Sequence, residues 1–280
     1  MKQHGILAAL SLLAFSLLLC GCPSKGGESH EIKYFAISSQ DHVFSREYSL
    51  LVKLDGETFN SSLVLAITDD GQSFAKVALN ETDAPSSNEL SIPYLALEVG
   101  YHELEAALED ANGTRVSEAK TLPLTITPLG YEEFGEGDDS YQVSPNLWCA
   151  QEFVLENQAA ISSVELHLRS LVKTRSGKDA ILELRRPSGN VPGTSESSLI
   201  INATLPTISL DEEPEWHVFS LQDKILPAGT YWILLKRDDT VGNVGWTYSD
   251  EPGEWTAVCK DLTEAGPWVP VEGEFAFRIQ

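Results

Sequence analysis

Gly100-Tyr101-His102-Glu103-Leu104-Glu105-Ala106-Ala107-Leu108-Glu109-Asp110 is the stretch whose pattern decides the fold. His102, Leu104, Ala106 and Leu108 alternate with Glu103, Glu105 and Glu109. A period of two places successive side chains on opposite faces of a strand, so one face is buried and the other is acidic. Asp110-Ala111-Asn112-Gly113 follows as turn chemistry, with a glycine free to take positive φ, and Asp69-Asp70-Gly71 repeats that chemistry upstream. Around this strand, apolar-patterned runs recur near 31–38, 47–54, 62–68, 73–79, 89–92 and 119–127. Strands at this spacing over about 100 residues predict an antiparallel β-sandwich.

Past Thr127 the composition changes. Pro128, Gly130, Gly135 and Gly137 are interspersed with Glu132, Glu133, Glu136, Asp138 and Asp139, which reads as an acidic linker over 129–144 between a first domain at 31–128 and a second at 145–280. In the second, Val164, Leu166 and Leu168 alternate with Glu165, His167 and Arg169, and β-patterned runs follow at 179–185, 197–203, 215–221, 229–236, 244–249 and 274–279. Helical periodicity is nowhere sustained, so the expected class is all-β throughout.

At the other end, Lys2 precedes an apolar run from Ile6 to Leu19 and small Gly21 stands before Cys22, the three parts of a secretory signal. The run is shorter than the ~20 apolar residues a spanning helix needs, so cleavage is expected after residue 21. Leu19-Cys20-Gly21-Cys22 resembles the bacterial lipobox, in which the final cysteine receives a diacylglyceryl group and becomes residue one of the mature chain. The resemblance implies a lipid anchor on Cys22 and a cell-membrane, extracytoplasmic location; the ordinary alternative is a secretory signal with two incidental cysteines. Residues 22–30, small, polar and glycine-rich, then form a tether. With Cys20 removed and Cys22 lipidated, Cys149 and Cys259 remain as one candidate disulfide in an oxidising space, the alternative being two separate buried thiols. A loop of about 110 residues closed in this way is worth roughly 4–5 kcal/mol at most in the chain-entropy picture.

Gly100-Tyr101-His102-Glu103-Leu104 with Asp110 and Gly113 resembles the penultimate strand of bacterial immunoglobulin-like domains, which implies that His102 is a structural corner residue. The second half resembles the jelly-roll-like sandwich of the choice-of-anchor family of surface domains. The residues that carry this are Ala150-Gln151-Glu152-Phe153, Leu182-Glu183-Leu184 leading to Gly189-Asn190-Val191-Pro192-Gly193, Leu226-Pro227-Ala228-Gly229-Thr230-Tyr231-Trp232-Ile233-Leu234-Leu235, Gly245-Trp246-Thr247-Tyr248-Ser249 and Phe275-Ala276-Phe277-Arg278-Ile279. The expected architecture is an immunoglobulin-like β-sandwich followed by a jelly-roll-like β-sandwich.

The chain carries 19 basic and 42 acidic residues, a net charge of −23, and loss of Lys2 with the signal makes it more negative still. Such a surface repels nucleic acid and anionic headgroups. No nucleophile elbow, phosphate loop, His-Glu-x-x-His or paired-cysteine zinc pattern is present, so a catalytic site and a cofactor are not expected. All six tryptophans lie after the linker. Trp232 and Trp246 sit in apolar strands and read as core, whereas Trp255 and Trp268 sit in turn-rich loops, where a flat exposed ring could stack on the apolar side of a sugar. The alternative is that these two rings cap the ends of the sandwich. Asp238, Asp239, Asp250 and Glu251 could supply oxygens to a structural calcium, although no EF-hand spacing is present and solvated acidic loops are the favoured account of them. The expectation is therefore a non-catalytic, lipid-anchored surface protein that contacts glycan or another envelope protein. The competing expectation is a glycan-processing enzyme or an accessory subunit of one, assembled from carboxylates that meet only in space.

Overall fold

The computed structural model describes residues 30–55, 58, 62–79, 87–132, 140–171, 179–237, 244–251, 254–263 and 267–280. The signal, Cys22, the tether apart from His30, and the calcium candidates Asp238 and Asp239 lie outside the described residues. Among those described, no helix is long and apolar enough to cross a membrane.

The chain is an all-β assembly of sandwiched sheets. In its first part, β1 (Ile32–Ile37), β2 (Glu47–Leu54) and β5 (Glu89–Leu95) form one sheet in the order β1-β2-β5. The other consists of β3 (Val64–Asp69), β4 (Gln72–Ala78), β6 (Gly100–Glu109) and β7 (Lys120–Ile126) in the order β4-β3-β6-β7. The expected runs thus become strands because each offers alternate apolar residues to a shared interior. Leu50, Val52 and Leu54 from one sheet and Leu65, Ile67, Leu104, Ala106 and Leu108 from the other all enter one buried cluster. On β6 the deciding pattern holds, with His102, Leu104, Ala106 and Leu108 buried and Glu103 exposed.

The second part begins earlier than its composition suggests. The stretch expected as a linker, 129–144, contributes β8 (Leu129–Tyr131) and β9 (Ser140–Val143). Gly130 belongs to this pairing and not to a flexible connector, because a Cβ there would collide with the Phe277 carbonyl. The remaining strands are β10 (Leu147–Leu155), β11 (Ala159–Ser170), β12 (Ala180–Arg185), β13 (Leu199–Leu205), β14 (Glu215–Leu226), β15 (Gly229–Arg237), β16 (Val244–Ser249), β17 (Ala257–Asp261), β18 (Val269–Val271), β19 (Glu274–Phe275) and β20 (Phe277–Ile279). One sheet runs β13-β12-β15-β10-β17-β18, and the other runs β19-β16-β11-β20-β8, with β14 also on β11 and β9 on β16.

Between these two sheets lies a core of Phe153, Ile161, Leu166, Leu182, Ile233, Leu235, Trp246, Phe275 and Phe277. Trp246 stacks on Phe275 at 4.5 Å and donates its indole N–H to the Ala276 carbonyl at 2.8 Å, so the ring is buried without an orphaned donor. Cys149 and Cys259 stand directly opposite each other on β10 and β17, Cα atoms 4.2 Å apart, and are joined as a disulfide. The pair left over from the signal is thus realised as a cross-strand staple inside one sheet.

The two parts meet through short polar contacts. Within the first part, Phe44 N–H donates to the Thr127 carbonyl at 2.9 Å and Thr127 N–H to that of His42 at 2.8 Å, which holds the 42–46 loop beside the exit of β7. Ser45 Oγ donates to the Asn157 carbonyl at 3.0 Å, and Asn157 Nδ2 to the Ser45 carbonyl at 3.1 Å. Arg46 lies within 3.1 Å of Glu156 and 3.4 Å of Glu254.

Candidate functional site

Where the two parts meet, a cleft of about 790 Å³ opens between Val43, Arg46 and Thr127 on one side and Glu251, Glu254, Trp255 and Glu274 on the other, with Leu129 to Glu132 along its length. Its far wall is set by backbone geometry. Gly273 adopts φ +95°, which an ordinary side chain rarely takes, and a Cβ there would strike the Ser249 carbonyl; this tight approach brings β19 alongside β16. Gln151, fully buried on β10, then accepts the Phe275 N–H at 2.8 Å on its side-chain carbonyl and locks β19 to the opposite sheet.

Glu274 is thereby held with no exposed surface, accepting the Trp255 N–H through Oε1 while Oε2 has no partner among the described residues. Burial pushes its carboxyl above the ordinary glutamate range. The Glu254 charge adds to the rise and the Trp255 N–H opposes it. That hydrogen bond fixes the loop that presents Trp255. The indole is half-buried, one side leaning on Phe277 at 5.6 Å and the rest facing the cleft. Glu132 is oriented by Arg278 at 2.7 Å. The site therefore offers one partly exposed aromatic face, several carboxylates and a single guanidinium, itself drawn toward Glu156 and Glu254.

Trp268 has a different setting. It is only 8% exposed and lies on the outer face of the six-stranded sheet with Ala150, Trp232, Leu234 and Val258, against which Trp148 and Val191 also pack. Beside it Glu183 pairs with Arg185 at 2.6 Å and Lys236 at 2.8 Å, and Lys236 lies 5.2 Å from the centre of the Trp148 ring. Arg185 further donates to the Gly193 and Ser195 carbonyls, tying the 187–195 loop over this face. The three indole N–H groups of Trp148, Trp232 and Trp268 have no partner among the described residues. A hollow of about 500 Å³ borders Trp268, lined also by Glu152, Asn190 and Thr256.

The sequence-predicted residues thus separate. Trp255 and Glu251 come together in the cleft, Trp268 sits on the outer face, and Asp250 is exposed at the end of β16. Asp250 and Glu251 join no cluster of metal-ligating groups; among the described residues such a cluster is formed by Asp69, Asp70 and His102 in the first part. Sequence reading missed Glu274, Arg46 and Glu132. The signal for Glu274 was present as a lone acid within an otherwise apolar strand end, Glu274-Phe275-Ala276-Phe277.

No described protein family matches the chain, and no curated protein matches it in sequence. Among solved structures, a protein described as membrane-anchored from Corynebacterium diphtheriae is similar at 8% identity and a TM-score of 0.31, over 86% of this chain and 57% of that one. The chain therefore spans little more than half the length of that protein. A SusE-like protein is similar at 10% identity and a TM-score of 0.26, over 75% of this chain and 93% of that one. A carbohydrate-binding module of the β-sandwich superfamily is similar at 9% identity and a TM-score of 0.24, covering 78% and 96% respectively. Likenesses at these identities and scores assign neither family nor function.

Proposed function

We propose that this chain is a non-catalytic, lipid-anchored cell-surface protein that binds neutral glycans in the cleft between its two parts. The observation that carries the reading is Trp255, a half-exposed indole held by its own backbone N–H and surrounded by carboxylates. A pyranose has one apolar face that stacks on a flat ring and a rim of hydroxyls that donate to carboxylate oxygens. The acidic lining discriminates against uronic and sialic acids, which would bring like charge into a confined site. In this reading Cys22 carries the lipid, an immunoglobulin-like first domain gives reach, and a jelly-roll-like second domain supplies the Trp255 wall. The Cys149–Cys259 disulfide fits an oxidising, extracytoplasmic compartment.

The test is a glycan array probed with the chain bearing Cys22→Ala, followed by calorimetry on the ligands found. Neutral oligosaccharides are expected to bind, with Trp255→Ala weakening them at least about tenfold, the low end of the about 1–3 kcal/mol that a base stacked on one aromatic ring is worth. Binding that survives Trp255→Ala, or an array on which only acidic sugars bind, overturns the proposal. The anchor is tested separately: Cys22→Ala should move the protein from the membrane fraction to the soluble one.

One observation favours a second reading, a glycan-processing enzyme or its accessory subunit. Glu274 holds its proton more tightly than an ordinary glutamate while Glu254 lies in the same cleft, the division of environments that acid and base roles require. The complete burial of Glu274 and its commitment to the Trp255 N–H favour a positioning role instead. Hydrolysis of an array-positive glycan that disappears in Glu274→Gln would select the enzyme.

A further inference from the structure

The acidic turn and the histidine of the first part form a constellation that packing alone does not explain. Asp69 closes β3 and shares a face of the sheet with Leu104, its cross-strand partner, so it also neighbours His102 one pleat along β6. Asp70 follows in the β3–β4 turn. His102 Nδ1 lies 3.1 Å from Asp69 Oδ1 and 3.5 Å from Asp70 Oδ2, and the donor atoms of all three residues fall within 4.8 Å of one another.

The outward atoms of the three ligands are each spoken for. His102 Nε2 is 3.0 Å from the Glu98 carbonyl, which can only accept, so Nε2 carries a proton. In the neutral ring that leaves the Nδ1 lone pair facing two carboxylates. Asp69 Oδ2 accepts the Tyr94 hydroxyl at 3.0 Å, reaching across from the other sheet, and Asp70 Oδ1 accepts the Glu103 N–H at 2.9 Å. Such outer hydrogen bonds are what orients ligands around a metal: a histidine giving its far N–H to a carbonyl, and carboxylates held by their second oxygens.

Distances decide which ion this suits. Bonds of about 2.0–2.2 Å to nitrogen and oxygen in a tetrahedron put neighbouring ligand atoms roughly 3.3–3.6 Å apart. Of the two measured edges, 3.5 Å falls within that range and 3.1 Å just below it. Calcium requires six to eight oxygens, for which this trio is too small and too nitrogenous. We infer that Asp69 Oδ1, Asp70 Oδ2 and His102 Nδ1 form a three-ligand site for a divalent transition metal of the zinc type. Its fourth position is open toward the adjoining hollow of about 350 Å³, which Phe74, Tyr94 and Leu97 also line. An imidazole and two carboxylates match zinc's preference for nitrogen and oxygen donors, and three protein ligands with an open fourth position is the arrangement of a site that accepts water or an external ligand.

The experiment uses the full chain with Cys22→Ala and no histidine tag, stripped with chelator and titrated with Zn²⁺ by calorimetry. One Zn²⁺ per chain is expected, Ca²⁺ at millimolar concentration should not compete, and Co²⁺ should give the intense visible absorption of a tetrahedral site. Asp70→Asn, at an exposed position where the amide oxygen can still accept the Glu103 N–H, should weaken Zn²⁺ at least tenfold while leaving the chelator-treated melting temperature unchanged. His102→Gln should abolish binding. Zn²⁺ affinity that is unchanged in Asp70→Asn, or a chain that takes up no Zn²⁺ at all, overturns the inference and leaves His102 as a structural corner residue hydrogen-bonded to Asp69 and the Glu98 carbonyl.

Discussion

Trp255 and Trp268 stand close together in the chain, in loops of the same turn-rich character, yet one faces an open cleft and the other is buried. The difference lies in what stands opposite each ring. On the outer face of the six-stranded sheet, small Ala150 and Val258 occupy adjacent positions on β10 and β17, leaving a depression that a large flat side chain fills. At the cleft, Trp255 packs against Phe277 with the rest of its ring half-exposed, and the buried Glu274 carboxylate ties its backbone to the cleft wall. A loop tryptophan is thus buried or left half-exposed according to the volume of residues on a distant strand, which its own flanking sequence does not record.

The comparison can be broken most severely at Trp268. Trp268→Ala should lower unfolding free energy by about 3–5 kcal/mol, as truncation of a buried tryptophan does, and leave any glycan affinity intact. Denaturant titration beside the array would show this, and a loss of binding without a loss of stability would exchange the roles of the two rings.

The disulfide comes next. Cys149 and Cys259 lie on the core side of the same two strands whose opposite side carries Ala150 and Val258. The double variant Cys149→Ala, Cys259→Ala should destabilise by about 2–5 kcal/mol. The accompanying change should be concentrated on the Trp268 side, read as faster hydrogen exchange in β10 and β17.

Smallest and most specific is Glu274. Its native carboxyl titrates above the ordinary range, so the folded chain holds this proton longer than the unfolded chain does. Stability linked to the group is full below the usual glutamate pKa and is lost as pH rises through the raised native value. Glu274→Gln should therefore be more stable than the natural chain by about 1 kcal/mol near pH 8, with the advantage vanishing near pH 4. Thermal melts at the two values check the sign, and an advantage at pH 4 instead would mean that the carboxylate is stabilising.

Period-two patterning on β6 and β11 was sufficient to read an all-β sandwich, because each alternation reports a face. Residues 129–131 were misread because Pro128, Gly130 and the neighbouring acids carry linker composition; nothing local shows that Gly130 is small in order to pass the Phe277 carbonyl. Cys149 and Cys259 were legible by elimination. Asp69, Asp70 and His102 were each visible, two as a turn and one as a corner residue, but their convergence is a property of the β3–β6 register. Glu274 and Arg46 come from opposite ends of the chain, and no periodicity joins them.

The passage between the two parts, Thr127 and Pro128, has a mechanical consequence. Thr127 is hydrogen-bonded on both sides of its peptide, to His42 and Phe44, and proline fixes its own φ, so the chain enters β8 from β7 with no slack residue to act as a pivot. Across the joint, Ser45 and Asn157 are hydrogen-bonded and Arg46 lies between Glu156 and Glu254, so the chain link is braced beside the cleft by a second set of contacts from one loop.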